Sequence, residues 1–155
     1  MNKSIYCLIV IIIILSGCKV RQLTIDGQKG YKIVYSDDDD SLDKRGAMQL
    51  QHHLKEMSKA KLPLIKESKY NGQKAIYIGN TNYAKALNID FGKLREDGYA
   101  FKGHNNNFVI AGGTKKGALY GVYDLLEHIG FKKYTPNSTH VPERDSISFP
   151  ANDTV

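Results

Sequence analysis

The sequence contains no tryptophan and only two cysteines, Cys7 and Cys18, among its 155 residues. Because both cysteines lie within the first 18 residues, no disulfide can form inside the rest of the chain. The disulfide framework that holds many small secreted domains together is therefore excluded. A chain of this length buries roughly two thirds of its unfolded surface on folding, so an ordinary apolar core is expected to stabilise it.

The chain also lacks a hydrophobic run long enough to span a bilayer, for which about 20 apolar residues are needed. Its apolar run at residues 5–15 follows a short positive start at Lys3 and leads into Leu15-Ser16-Gly17-Cys18. This order is typical of an export signal, and its ending resembles the lipobox of bacterial lipoproteins. We therefore predict a signal peptide at residues 1–17 and a lipid on Cys18 that anchors the exported chain to a membrane of the bacterial cell envelope. An ordinary cleaved signal and an uncleaved anchor are the alternatives.

Clustered positive charge is missing as well. The formal net charge is +6, but the lysines are scattered, and Lys115-Lys116 and Lys132-Lys133 are only pairs. A nucleic-acid footprint needs basic residues gathered on one face. We therefore expect no nucleic-acid partner.

No motif for a metal, a phosphate or a dinucleotide is complete. The four aspartates at residues 37–40 lack the alternating spacing, the glycine and the distal glutamate of a calcium loop. His52 and His53 are adjacent, and adjacent helical residues point about 100° apart, so we expect two surface histidines that do not share a metal. The glycine-rich loop at residues 112–117 fits neither the P-loop nor the dinucleotide fingerprint. We predict no metal and no cofactor.

Two amphipathic helices are predicted. The first covers residues 41–59, with Ser41 or Asp43 as its cap, because its apolar residues recur at steps of three and four. That stripe consists of Ala47, Leu50, Leu54 and Met57. The second helix follows Gly112-Gly113, has Thr114 as its cap and ends at Gly130. Gly117 and Gly121 lie four apart on one face of it, where they allow a close approach to a sheet.

Short apolar segments predict five or six strands. Two of them flank the asparagine-rich residues 104–107 and form a hairpin, because asparagine tolerates a positive φ. A hairpin fits a mixed sheet better than an all-parallel one. The fold class is therefore α/β, an α+β sandwich of a mixed sheet with two main helices on one face. The predicted domain occupies residues 31–150, between a polar tether at residues 18–30 and a tail at residues 151–155.

From Tyr31 to Phe149 the chain resembles the N-terminal domain of bacterial alpha-glucuronidases and of related exported glycoside hydrolases. That domain is similar in fold to the non-catalytic domain before the barrel of beta-N-acetylhexosaminidases. The most specific part of the resemblance is Gly117-Ala118-Leu119-Tyr120-Gly121-Val122-Tyr123-Asp124-Leu125-Leu126-Glu127. Weaker matches are Leu62-Pro63-Leu64, Ile76-Tyr77-Ile78-Gly79, Asp97-Gly98-Tyr99, Ile110-Ala111-Gly112-Gly113 and Tyr134-Thr135-Pro136.

The resemblance implies a role in glycan processing without catalysis. In these families the catalytic carboxylates belong to a barrel that follows this domain, and no acidic pair here matches them by motif. We therefore expect a membrane-anchored accessory domain, without a catalytic barrel, that works with a catalytic glycoside-hydrolase domain or a glycan. A glycan-binding lipoprotein and a small glycosidase with an unrecognised site remain as alternatives.

Residues near the end of the second helix are the candidates for contact. We predict that the face normally covered by the barrel includes Phe131, Tyr134, Thr135 and Pro136. Tyr120 and Tyr123 lie three apart on that helix and are candidate sugar contacts, although tyrosines of this kind are also ordinary packing residues.

Overall fold

The centre of the fold is a six-stranded mixed sheet. A computed structural model of the chain describes residues 24–26, 30–38, 42–72, 74–113, 116–135, 138–149 and 152–154. The strands of the sheet are β2 (Lys32–Tyr35), β3 (Leu64–Lys66), β4 (Ala75–Ile78), β5 (Tyr99–His104), β6 (Asn107–Gly112) and β10 (Asn152–Thr154). Their order across the sheet is β10-β5-β6-β4-β2-β3. The four strands from β6 to β3 are parallel, and β5 is antiparallel to both of its neighbours.

Two short antiparallel ribbons flank this sheet. The first joins β1 (Thr24–Asp26) to β9 (Ser146–Ser148), and the second joins β7 (Lys132–Thr135) to β8 (Ser138–His140). Strand β1 lies in the predicted tether and β10 lies in the predicted tail. Each of these short strands pairs with a strand of the predicted domain, and the bounds of that domain stay a prediction.

The side chains of the central strands alternate between the two faces of the sheet, so the apolar core is divided into two layers. In β4, Ile76 and Ile78 point to one face, whereas Ala75 and Tyr77 point to the other. Successive side chains of a strand point to opposite faces, and both faces of this sheet are covered, so the central strands are apolar throughout. The burial of all four residues of β4 follows from this arrangement.

The two long helices cover the first face. Helix α1 (Asp43–Ser58) contributes the predicted stripe, of which every member is buried, and α3 (Gly117–His128) packs beside it. Gly121 of α3 lies so close to β5 and β6 that an added Cβ would stand 2.7 Å from Cγ2 of Ile110 and 3.0 Å from the ring of Tyr99. The close approach predicted for Gly121 is therefore confirmed.

The second face is covered by less regular structure. The short helix α2 (Asn82–Ala86) packs there through Ala84, together with Leu94 from the following loop. Partly buried side chains complete this layer, namely Tyr70, Tyr83, Leu87, Ile89 and Phe91.

The hairpin and the end of the second long helix agree with the predictions from the sequence. Strands β5 and β6 pair around Asn105 and Asn106, which have φ values of 47° and 63°. Gly130 follows Ile129, the C-cap residue of α3, and has a φ of 104°, the left-handed conformation that commonly ends a helix. The predicted α/β fold, with a mixed sheet and two main helices on one face, is confirmed.

The start of α1 differs from the prediction that Asp43 caps this helix. Leu42 precedes α1 without a side-chain cap, and Asp43 is its first helical residue. Ser41, Thr114, residues 1–17, Cys18 and Pro136 lie outside the described residues. Within the described part of the chain, no helix combines the length and hydrophobicity that crossing a bilayer requires.

Candidate functional site

The strongest candidate site is an open pocket on the second face of the sheet, opposite α1 and α3. It lies where β4 and β6 begin and β5 ends, and its volume is about 620 Å³. We call it the tyrosine–asparagine pocket. Its lining consists of Tyr70, Asn71, Gly72, Lys74, Tyr77, Tyr83, His104, Asn105, Asn106 and Asn107.

Three tyrosines from separate segments form its aromatic side. Tyr77 of β4 stacks on Tyr83 of α2, with ring centroids 4.3 Å apart and an angle of 12° between the rings. Tyr70 meets Tyr77 edge to face, with centroids 6.2 Å apart. Tyr77 is almost fully buried, whereas Tyr70 and Tyr83 are half-buried. The buried ring therefore supports two rings that reach the pocket surface.

Hydrogen bonds join these rings to the hairpin. The Asn107 side chain accepts a bond from the backbone N–H of Ala75 at 2.9 Å and donates one to the Tyr83 hydroxyl, also at 2.9 Å. The same hydroxyl lies 3.0 Å from Nδ1 of His104. Asn107 is buried, so its satisfied amide holds β4, β6 and α2 in a fixed relation.

Two side chains hold the first turn of α2, and with it Tyr83. The Thr81 hydroxyl accepts a bond from the backbone N–H of Ala84 at 3.1 Å. The Glu67 carboxylate accepts the backbone N–H groups of Asn82 at 2.7 Å and of Tyr83 at 2.9 Å. The first N–H groups of a helix have no partner within it, so these three bonds satisfy groups that would otherwise need water.

The lining combines aromatic rings with neutral hydrogen-bonding groups. The amides of Asn71, Asn105 and Asn106 are exposed, and Lys74 adds one positive charge. None of the described lining residues is Asp or Glu. Such a site can bind a polar ligand with an apolar face, but the part of its lining that the structure describes offers no carboxylate for general acid or base chemistry.

The structure places the predicted contact residues elsewhere. Tyr134 is 67% exposed and Tyr120 is 42% exposed, whereas Tyr123 is half-buried against the main core. Thr135 ends β7, but its side chain lies outside the described part of the structure. None of these three tyrosines is among the described lining residues of the tyrosine–asparagine pocket, and their role in contact, like that of Thr135, stays a prediction.

Phe131 requires a correction. We expected it on the exposed face, but it is only 4% exposed and belongs to the main core. Its ring packs against His53 with centroids 4.3 Å apart. The chain turns inward after Gly130 and buries this ring beneath α1, so Phe131 cannot offer a face to a surface ligand. His53 was expected on the surface and is buried too.

Sequence reasoning missed the three pocket tyrosines, which come from a loop, a strand and a helix. It recognised residues 104–107 only as a turn. The one available signal was the buried strand Ala75–Ile78, in which Tyr77 brings a polar hydroxyl into an otherwise aliphatic segment. Such a group usually finds a polar partner or a pocket edge.

Comparisons with known proteins agree with this fold. Residues 29–125 match the family described as Glycosyl hydrolase family 67 N-terminus. None of the curated proteins matches the chain in sequence. Among solved structures, the family GH115 4-O-methyl-alpha-glucuronidase BtGH115A aligns with a TM-score of 0.62 and 12% identity, over 85% of this chain and 18% of that one.

Two further structures align less closely. The GH20 beta-N-acetylhexosaminidase of Streptomyces coelicolor A3(2) gives a TM-score of 0.48 at 16% identity, over 83% of this chain and 23% of that one. The chitobiase of Flavobacterium johnsoniae gives 0.48 at 17% identity, over 85% of this chain and 18% of that one. The chain thus spans less than a quarter of each of these proteins.

The family match covers more than half of the chain and includes α1, the central strands and most of α3. It confirms the resemblance noted from the Gly117 to Glu127 segment. This chain belongs to the glycosyl hydrolase family 67 N-terminus family, and its domain is associated with glycan processing.

Proposed function

We propose that this chain is an envelope-anchored accessory domain that binds saccharide in the tyrosine–asparagine pocket and leaves cleavage to a separate catalytic domain. Membership of a glycoside-hydrolase family supplies the context. The pocket is the observation on which the proposal rests, because it is a concave site of defined residues on a domain of that family.

The pocket suits the two kinds of surface that a sugar presents. A pyranose ring has an apolar face of C–H groups that packs well on aromatic rings, and Tyr70 and Tyr83 present partly exposed rings here. The hydroxyl groups of a sugar both donate and accept hydrogen bonds. The exposed amides of Asn105 and Asn106 supply partners of both kinds.

The same lining argues for binding rather than hydrolysis. Glycosidases that use two carboxyl groups hold them about 5–10 Å apart on either side of the scissile bond. The described lining of the pocket contains no carboxylate. Glu67 lies nearby, but both of its oxygens accept backbone N–H groups of α2.

Lys74 indicates which saccharides to test. It is the one lysine among the described lining residues, and a cation at the rim suits the carboxylate of a uronic acid. The aligned GH115 enzyme is described as a 4-O-methyl-alpha-glucuronidase. We therefore expect oligosaccharides that carry glucuronic acid to bind more tightly than neutral oligosaccharides of equal length.

Calorimetric titration of the full chain with both oligosaccharides tests this proposal. We expect Tyr83→Ala and Asn106→Ala to weaken binding at least tenfold, and Lys74→Ala to remove the preference for the uronic acid. Tyr120→Ala is the matched control, because Tyr120 is a partly exposed tyrosine outside the pocket. Binding that survives Tyr83→Ala but is lost in Tyr120→Ala or Tyr134→Ala would support the predicted surface tyrosines instead.

The anchor is the part of the proposal that rests on sequence alone. The small residues before Cys18 and the apolar run before them support a lipid on that cysteine. Metabolic labelling with an alkyne fatty acid should mark the native chain and not the Cys18→Ala variant. The labelled chain should sediment with membranes, whereas equal sedimentation of the unlabelled variant would argue for an uncleaved anchor.

A second function, docking to a catalytic glycoside-hydrolase domain, is favoured by the outer surface of α1 and α3. Met48 on α1 is 52% exposed and Tyr120 on α3 is 42% exposed, so two large side chains on neighbouring helices are open to a partner. A photo-crosslinking residue at position 48 or 120 should trap a glycoside hydrolase in the native envelope. The same residue at Lys85, on the opposite face of the sheet, should not.

A further inference from the structure

Three potential metal ligands meet on the surface of α1. The Nδ1 atom of His53 lies 2.9 Å from Oε2 of Glu56, and Nε2 of His52 lies 3.6 Å from the same oxygen. Each residue offers one ligand atom, and all three atoms lie within 4.8 Å of one another. Within the described part of the chain, this is the one group of three His, Cys, Asp or Glu side chains that converges in this way.

The helix explains the convergence. Glu56 follows His52 by four residues and His53 by three, and both spacings place side chains on neighbouring positions of a helix surface. The two imidazole rings lie edge to face, with centroids 4.9 Å apart and an angle of 61° between them. Adjacent helical residues point about 100° apart, yet one nitrogen of each ring lies within 3.6 Å of the same carboxylate oxygen. Adjacent histidines can therefore reach a common carboxylate oxygen, although the sequence predicts that they do not share a metal.

One of the three ligands is held in place before any ion arrives. His53 is buried and its ring packs on Phe131 with centroids 4.3 Å apart. The other two remain accessible, since the side chains of His52 and Glu56 are 62% and 41% exposed. A fixed ring beside two adaptable ligands allows an ion to enter from solvent at a small cost in conformational entropy.

The donor set selects the class of ion. Two imidazole nitrogens and one carboxylate oxygen suit zinc and the late first-row transition metals, whereas calcium and magnesium prefer oxygen ligands. Ligand bonds of about 2.0–2.1 Å in a tetrahedral site place neighbouring ligand atoms roughly 3.3 Å apart. The two separations from the carboxylate oxygen, 2.9 and 3.6 Å, lie on either side of that value. The two imidazole nitrogens lie within 4.8 Å of each other, and the exposed His52 ring would move toward His53 as an ion binds.

We propose that His52, His53 and Glu56 bind one divalent zinc-type ion, with the remaining coordination position open to water. An ion that binds only the folded chain stabilises it by mass action. Because the buried His53 ring links the site to Phe131 at the start of the β7 segment, the ion would fasten that segment to α1. This site is independent of the tyrosine–asparagine pocket, on the other face of the sheet.

Titration of the full chain with zinc chloride tests the proposal by calorimetry and by thermal unfolding. We expect one ion per chain and a rise in the melting temperature that calcium and magnesium do not reproduce. His52→Ala and Glu56→Gln should each weaken zinc binding at least tenfold. Both residues are exposed, so the metal-free variants should melt close to the metal-free wild type.

His128→Ala is the matched control, because His128 is an exposed histidine near the end of α3, and it should bind zinc as the wild type does. Cobalt substitution should give a spectrum without a thiolate charge-transfer band, since a cysteine site would show one. Absent zinc binding, binding unchanged in His52→Ala and Glu56→Gln, or a thiolate band would each overturn the proposal.

Discussion

The phenol rings of Tyr77 and Tyr83 lie face to face, with centroids 4.3 Å apart, although one belongs to the central strand β4 and the other to the short helix α2. This stack joins the core of the second face to the rim of the pocket. Burial raises the pKa of Tyr77 to about 12, and the neighbouring Tyr70, Tyr83 and Glu67 add to the rise.

The raised pKa of Tyr77 predicts a loss of stability at high pH. An unfolded tyrosine releases its proton near pH 10 and the folded one near pH 12. The contribution of Tyr77 to the free energy of unfolding is therefore fully present below about pH 10, and it is lost as the pH rises toward 12. The free energy of unfolding should fall by about 2 kcal/mol more over this range in the wild type than in Tyr77→Phe.

Urea unfolding at about pH 9 and about pH 11.5 measures this difference. The phenylalanine variant keeps the ring and removes the ionisation, so the titration of other groups cancels in the comparison. If the free energy of unfolding changed equally with pH in the wild type and in Tyr77→Phe, the raised pKa of Tyr77 would be contradicted.

A pair of glycine substitutions should separate close packing from helix propensity. A Cβ at Gly121 would stand 2.7 Å from Cγ2 of Ile110, whereas at Gly46 its nearest atom would be 3.4 Å away. Both glycines lie inside long helices, where alanine is favoured by roughly 1 kcal/mol. We expect Gly46→Ala to be neutral or stabilising and Gly121→Ala to lower the free energy of unfolding by about 1–3 kcal/mol.

The measurement is urea unfolding of both variants and the wild type. If both substitutions changed the free energy of unfolding equally, α3 would be able to move away from the sheet without destabilising the fold.

Phe131 and Tyr134 should differ sharply despite their closeness in sequence. Phe131 is 4% exposed and Tyr134 is 67% exposed. Truncating a buried phenylalanine costs about 3–5 kcal/mol, and an exposed substitution usually stays within about 0.5 kcal/mol. Phe131→Ala should therefore lower the melting temperature strongly, while Tyr134→Ala leaves it unchanged. A comparable loss in Tyr134→Ala would contradict the exposed position of its side chain.

Glu67 should control the pocket without lining it. Its carboxylate accepts the N–H groups of Asn82 and Tyr83, so Glu67→Ala leaves the start of α2 without these partners. We expect a loss of about 1–2 kcal/mol in stability. Because Tyr83 is then less firmly held, saccharide affinity should also fall. The control is Glu127→Ala, an exposed glutamate on α3, which should change neither property in the same calorimetric and unfolding assays.

The elements that the sequence predicted well are those with strong local signals. The stripe of Ala47, Leu50, Leu54 and Met57 repeats with the helical period, and all four side chains are buried. Asn105 and Asn106 adopt the positive φ values that a tight hairpin needs. Gly130 ends α3 for the same local reason. Such features depend on a few neighbouring residues, so no knowledge of distant contacts is required.

Elements that depend on distant partners were not predictable in this way. Strand β1 pairs with β9, more than 100 residues later, and β10 pairs with β5. Each has only three residues, too few for a period to emerge. The burial of Phe131 likewise depends on the position of α1, which no pattern around residue 131 contains.

The sequence by itself determined the helices, the hairpin, the mixed sheet and the family of this protein. The signals for them are the hydrophobic period, the turn residues and the Gly117 to Glu127 segment, and each of these lies within a short stretch of the chain. Tertiary structure alone decided the tyrosine–asparagine pocket, whose rings come from a loop, a strand and a helix. It also decided that His52, His53 and Glu56 share one point on α1, because side-chain torsions and the packing of Phe131 set where the rings end.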